Sequence, residues 1–162
     1  MSGSIRRAKR EVADVPEPKR PDRRLDQLLH VRKQRLGRLE RERGTARDAW
    51  RSCRQNLREC KLRKREALRQ AVQFWQEARA SFLGMTITSG QFHVAKARYE
   101  RMKEEAAQLN LRCQETVRRC RAAGTRYFAA NEEVQRAQRQ QEKLGILRDE
   151  LRALSLQNAE GG

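Results

Sequence analysis

The sequence is short of the residues that build a broad globular core. Aromatic residues make up 5% of its 162 positions while charged residues make up 36%, and the mean hydropathy is −1.02. No apolar run approaches the roughly 20 residues needed to cross a bilayer, so membrane insertion is not expected. The basic start MSGSIRRAKRE is not followed by the apolar stretch of a secretory signal, which predicts a cytoplasmic protein. Proline occurs only at Pro16, Pro18 and Pro21. His30 and His93 are the only histidines and stand at opposite ends of one long segment. No HExxH pair, glycine-rich nucleotide fingerprint or nucleophile-and-base arrangement is present. Catalysis is therefore not expected, and neither is a metal site or a cofactor.

What remains is rich in Ala, Arg, Glu, Gln and Leu, the strong helix formers, a mix typical of a coiled coil. Two segments keep a 3-4 apolar spacing. In the first, a positions run Leu29, Leu36, Arg43, Trp50, Leu57, Lys64, Ala71, Ala78, and d positions run Arg32, Leu39, Ala46, Cys53, Cys60, Ala67, Phe74, Ser81. In the second, a positions run from Phe92 and Tyr99 to Gln141 and Arg148, and d positions from Ala95 to Leu151. Heptads sustained over this length argue for a coiled coil rather than an isolated amphipathic helix.

The two segments fit each other. In an antiparallel hairpin each a position faces a d position at a constant sum of residue numbers. A sum of 173 achieves this from Leu29 with Leu144 to Ser81 with Phe92. Large residues then meet small ones, as close packing requires: Trp50 with Ala123, Tyr127 with Ala46, Met102 with Ala71, Leu36 with Ala137. The expected fold is all-α, a single long antiparallel two-helix coiled-coil hairpin with a disordered N-terminal tail. Its parts are a basic, proline-containing tail over 1–24, a first helix over 25–83, a turn over 84–88, a second helix over 89–154 and a frayed end over 155–162.

The centre of this pairing falls inside SFLGMTITSGQF, residues 81–92. Gly84 is expected to take the left-handed position that ends the first helix. Thr88 with Gln91 forms a capping box, and Ile87 with Phe92 the accompanying hydrophobic staple. The loop lacks the spacing and lysine of a phosphate-binding loop.

The register sets Cys53 opposite Cys120 and Cys60 opposite Cys113, in layers roughly 10 Å apart. One tetrahedral zinc ion with bonds of ~2.3 Å cannot gather all four sulfurs; oxidation would form cross-helix disulfides, whereas in a reducing cytosol core thiols are expected. Leu68, Trp75 and Phe82 repeat along the flank of the first helix, either as a seam that widens toward the tip or as a docking strip. Gly37, Gly44, Gly124 and Gly145 each cost a helix ~1 kcal/mol. With Arg32, Arg43, Gln141 and Arg148 in seam positions, the end carrying both termini is expected to be the weaker one. It is either tolerated fraying or an end completed by a partner.

The net charge of +17 is spread along the chain, with acidic residues interleaved throughout. An acidic partner surface fits this charge, as does a solvated helix face. No uninterrupted basic region of the bZIP kind is present, so nucleic acid is not the expected partner. A basic coiled coil that binds nucleic acid, or a purely scaffolding hairpin, are the alternatives.

The stretches LLHVRKQRLGRLERERGTAR and AQRQQEKLGILRDELRAL, with the overall plan over about residues 25–154, resemble the YscO/FliJ family, the central-stalk proteins of type III secretion and flagellar export. The resemblance implies a non-enzymatic stalk at the cytoplasmic face of the secretion apparatus. Its paired termini would engage a hexameric export ATPase and its far end an export gate protein, with export chaperones as further ligands. Mapped onto the two ends of the hairpin, the ring-facing candidates are Arg32, Arg35, Arg38, Arg41, Arg47, Arg139, Lys143 and Arg148. The gate or chaperone candidates are Trp75, Phe82, Met85, Ile87 and Phe92.

Overall fold

A computed structural model describes residues 23–161. Two helices account for nearly all of them: α1, Arg24–Leu83, and α2, Ser89–Glu160. At 1.5 Å per residue they are about 90 and 108 Å long. Neither contains proline, so no backbone bond is lost within them. They pack against each other along their length as an antiparallel hairpin. Neither helix is apolar enough to cross a membrane among the described residues. The tail expectation for 1–24 lies outside the described residues except for Arg23 and Arg24. The second helix runs to Glu160, beyond the expected end at 154, because no helix breaker occurs before Gly161, whose N–H donates to the Gln157 carbonyl at 2.9 Å.

The seam follows the heptads. Every a and d position from Leu29 to Ser81 is buried or half-buried. The same holds in α2 from Phe92 to Arg148, and only Leu151 is exposed. By the same pairing sum, 151 is matched with 22, before Arg24 where α1 begins. The register is visible directly where the Cys113 thiol donates to Cys60 Sγ at 2.7 Å. The core is a narrow strip centred on Leu39, Ala71, Ala106, Cys113, Cys120, Ala123 and the fully enclosed Val134. Burying a valine side chain of this kind contributes about 1.5–3 kcal/mol.

Trp50 departs from the simple layer picture. Its indole lies over Gly124, next to Ala123, so closely that a Cβ there would meet Nε1 at 3.1 Å and Cε2 at 3.3 Å. Tyr127 stacks on the same indole at 5.4 Å and Phe128 meets it edge-on at 5.4 Å. Gly124 is thus a seat for Trp50 and not a simple weak point. Gly44 and Gly145 have nothing within 4 Å of the position a Cβ would occupy.

The turn corrects one expectation. Gly84 keeps a right-handed φ of −77°, and Met85 takes the left-handed position at φ 56°. The Met85 N–H donates to the Phe82 carbonyl at 3.1 Å and the Thr86 N–H to the Ser81 carbonyl at 3.0 Å. This is a Schellman closure with methionine where glycine is usual. The Thr86 hydroxyl adds a second bond to the Ser81 carbonyl at 2.8 Å. At the start of α2 both halves of the capping box form. The Gln91 N–H donates to Thr88 Oγ1 at 3.2 Å and the Thr88 N–H to Gln91 Oε1 at 2.9 Å.

Candidate interaction surfaces at the two ends

The tip is an aromatic plug. Trp75, from the flank of α1, stacks on Tyr99 at 4.9 Å with the rings 12° from parallel, and lies 5.5 Å from Phe92. Phe82 stacks on Phe92 at 4.4 Å. Lys103 places its ammonium 4.9 Å over the Tyr99 ring, and Arg98 its guanidinium 4.8 Å over Phe74. Trp75 and Phe92 are therefore half-buried packing residues of a seam that has widened to include the flank. Ile87 is also half-buried.

The freely displayed surface lies around them. Met85 is 92% exposed, Leu83 76% and Val94 68%, with Phe82 partly open at 39%. Met85 combines an exposed apolar side chain with a left-handed backbone, a conformation that costs an ordinary residue about 1–2 kcal/mol. Of the five tip candidates, Met85 and Phe82 are exposed, and Trp75, Ile87 and Phe92 are half-buried.

The opposite end is polar in its seam. Arg32 is half-buried and donates across the hairpin to Gln140 Oε1 at 2.8 Å, and Arg43 donates to Asn131 Oδ1 at 3.2 Å. Arg152 reaches Asp26 of the other helix at 3.6 Å. Gln141 Oε1 and Arg148 Nε are buried without a hydrogen bond, although Arg148 Nε stands 3.5 Å from the Asp149 carboxylate, a distance of ion pairing only. A groove of about 420 Å³ opens beside them, lined by Asp26, Leu29, His30, Lys33, Gln141, Gly145 and Arg148. An orphaned polar atom in a protein interior costs about 1–3 kcal/mol. This end is consequently less well packed than the tip.

The basic candidates divide into two groups. Arg35, Arg38, Arg41, Arg47, Arg139 and Lys143 are exposed, whereas Arg32 and Arg148 belong to the seam. Their contacts are local: Arg38 stands 3.9 Å from Glu42, Arg47 3.6 Å from Asp48, and Arg139 donates to the Gln135 carbonyl at 3.3 Å. Surface pairs of this sort contribute about 0–1 kcal/mol, so these guanidinium groups are available to another surface.

One feature of this end was missed in the sequence. Toward its C-terminal end α2 displays Leu151, Leu154 and Leu156 at 49%, 55% and 65% exposure, with Leu151 and Leu156 lining a groove shared with Arg23, Leu25 and Asp26 at the start of α1. The constant sum held the clue, because it sets these leucines against positions 22, 19 and 17, within the proline-containing stretch. Among the described residues no group of three or more His, Cys, Asp or Glu side chains is placed to hold a metal ion. Comparisons with models of known families, with curated proteins and with solved structures find no match to this chain.

Proposed function

We propose that this chain is a non-enzymatic coiled-coil stalk of a bacterial type III secretion system, working at the cytoplasmic face of the apparatus. It couples a hexameric export ATPase to an export gate protein, and its tip also receives export chaperones. The observation that carries this reading is the contrast between the two ends of one long rod. At the termini, exposed Arg35, Arg38, Arg41 and Arg47 surround a polar, underpacked seam, suited to an acidic ring surface. About 90 Å away along the rod, Met85, Leu83 and Val94 form an exposed apolar point on a braced aromatic base, suited to an apolar partner. The resemblance of both arms to the YscO/FliJ family joins these two features to one function.

The test is affinity capture with the tagged full-length chain in the bacterium that encodes it. Recovery of an export ATPase or gate protein is expected. Charge reversal at Arg35, Arg38 and Arg41 should release the ATPase, and Met85→Asp should release the gate protein or chaperone. Capture of nucleic acid alone, with binding that weakens steeply as salt rises, rejects the stalk reading in favour of a polyanion-binding coiled coil.

A further inference from the structure

We infer that Cys60 and Cys113 form a reversible oxidation site, at which a peroxide converts two facing thiols into a disulfide that locks the two helices in register. This inference is independent of the stalk reading. Three observations support it. The two sulfurs come from different helices and approach to 2.7 Å, so the ~2.0 Å of a disulfide is reached with little movement. They share a layer fixed by the heptad pairing, so the contact is maintained by the whole length of the hairpin. Their access is unequal, with Cys60 half-buried and Cys113 buried at 5% exposure.

The inequality orders the chemistry. Burial, and then the hydrogen bond to Cys60, hold the Cys113 thiol above its ordinary pKa, so Cys113 is the slower to react with an oxidant. The more accessible Cys60, as thiolate, attacks one oxygen of hydrogen peroxide. An S–O bond forms, the O–O bond breaks, and the departing hydroxide takes up a proton to become water. Cys113 then attacks the Cys60 sulfenic acid, forming the S–S bond as the S–O bond breaks. Hydroxide leaves with the Cys113 proton as a second water. One peroxide is reduced, two thiols are oxidised, and a dithiol reductant reverses the change.

The full-length reduced chain is treated with hydrogen peroxide, quenched with an alkylating reagent and mapped by mass spectrometry without reduction. The expected product is an intramolecular Cys60–Cys113 peptide pair, with a rise in melting temperature of about 10 °C that a dithiol reverses. Cys60→Ser abolishes both, and the double variant Cys53→Ser with Cys120→Ser leaves both in place. Sulfinic or sulfonic acid at Cys60 without a crosslink overturns the inference. So does crosslinking confined to Cys53 with Cys120, or formed only between molecules. Mapping of the unsubstituted chain decides the matter even where a variant fails to fold.

Discussion

The tip and the terminal end of this hairpin are built on the same heptad but stabilised differently. Toward the tip, the layers hold Phe74, Tyr99 and Phe92, and the flank adds Trp75 and Phe82 to give a continuous ring stack. Toward the termini, Arg32, Gln141 and Arg148 occupy equivalent positions, two polar atoms stay unsatisfied and a groove opens beside them. The layer joining Leu39 to the fully enclosed Val134 marks the boundary. A two-helix rod has no third layer to compensate for a poor one, so stability must fall outward from that boundary. An end with low local stability is also the end where rearrangement on binding costs least.

The comparison can be broken most severely at the tip. Trp75→Ala removes the ring between Tyr99 and Phe92 and should cost about 3 kcal/mol, read as a lowered midpoint in denaturant unfolding followed by helical circular dichroism. A substantially smaller loss would mean that the aromatic stack adds little. At the other end the sign reverses. Gln141→Leu replaces a buried oxygen that has no donor and should gain about 1 kcal/mol. Hydrogen exchange should slow chiefly in the terminal turns. Uniform slowing along the rod would show that the two ends do not differ in local stability.

The glycines sharpen the same contrast on a smaller scale. Gly44→Ala and Gly145→Ala introduce a methyl group into open space and should each gain about 0.5–1 kcal/mol. Gly124→Ala must push a wedged Trp50 indole aside, so it should gain nothing or lose stability despite the same propensity benefit. Thermal melts of the three variants side by side provide the check.

The smallest effect is expected from the exposed pair on α1. A hydrogen bond from Arg69, at 2.6 Å from Nη2, holds the Glu66 carboxyl below the usual glutamate range against a smaller opposing effect of desolvation. A depressed carboxyl pKa contributes stability at neutral pH that is lost as pH falls through the folded-state value. The melting temperatures of Glu66→Gln and the unsubstituted chain should differ slightly at neutrality and converge as pH falls below the usual glutamate range.

The seam was readable in the sequence because a 3.5-residue period is a direct property of which side chains face the partner helix. Leu39 opposite Val134 and Cys60 opposite Cys113 follow from spacing alone. The details that escaped are those set by three-dimensional competition. Glycine is the usual left-handed residue, so Gly84 was the natural choice, yet the Ser81 and Phe82 carbonyls are closed one residue later and Met85 carries the strain. The same limit applied to Gly124, whose value depends on an indole from the other arm. Arg32 and Arg148, by contrast, are half-buried at the seam positions that the heptad assigns to them.

A register expressed as one constant sum has a consequence for how such a sequence can change over generations. Each arm is the other's template, much as the two strands of an RNA stem are. An insertion or deletion in one arm misaligns every layer between that point and the termini, unless the other arm changes by the same amount at the facing position. Length should therefore vary in paired steps of seven, with the turn around Met85 as the fixed point about which both arms grow or shrink together.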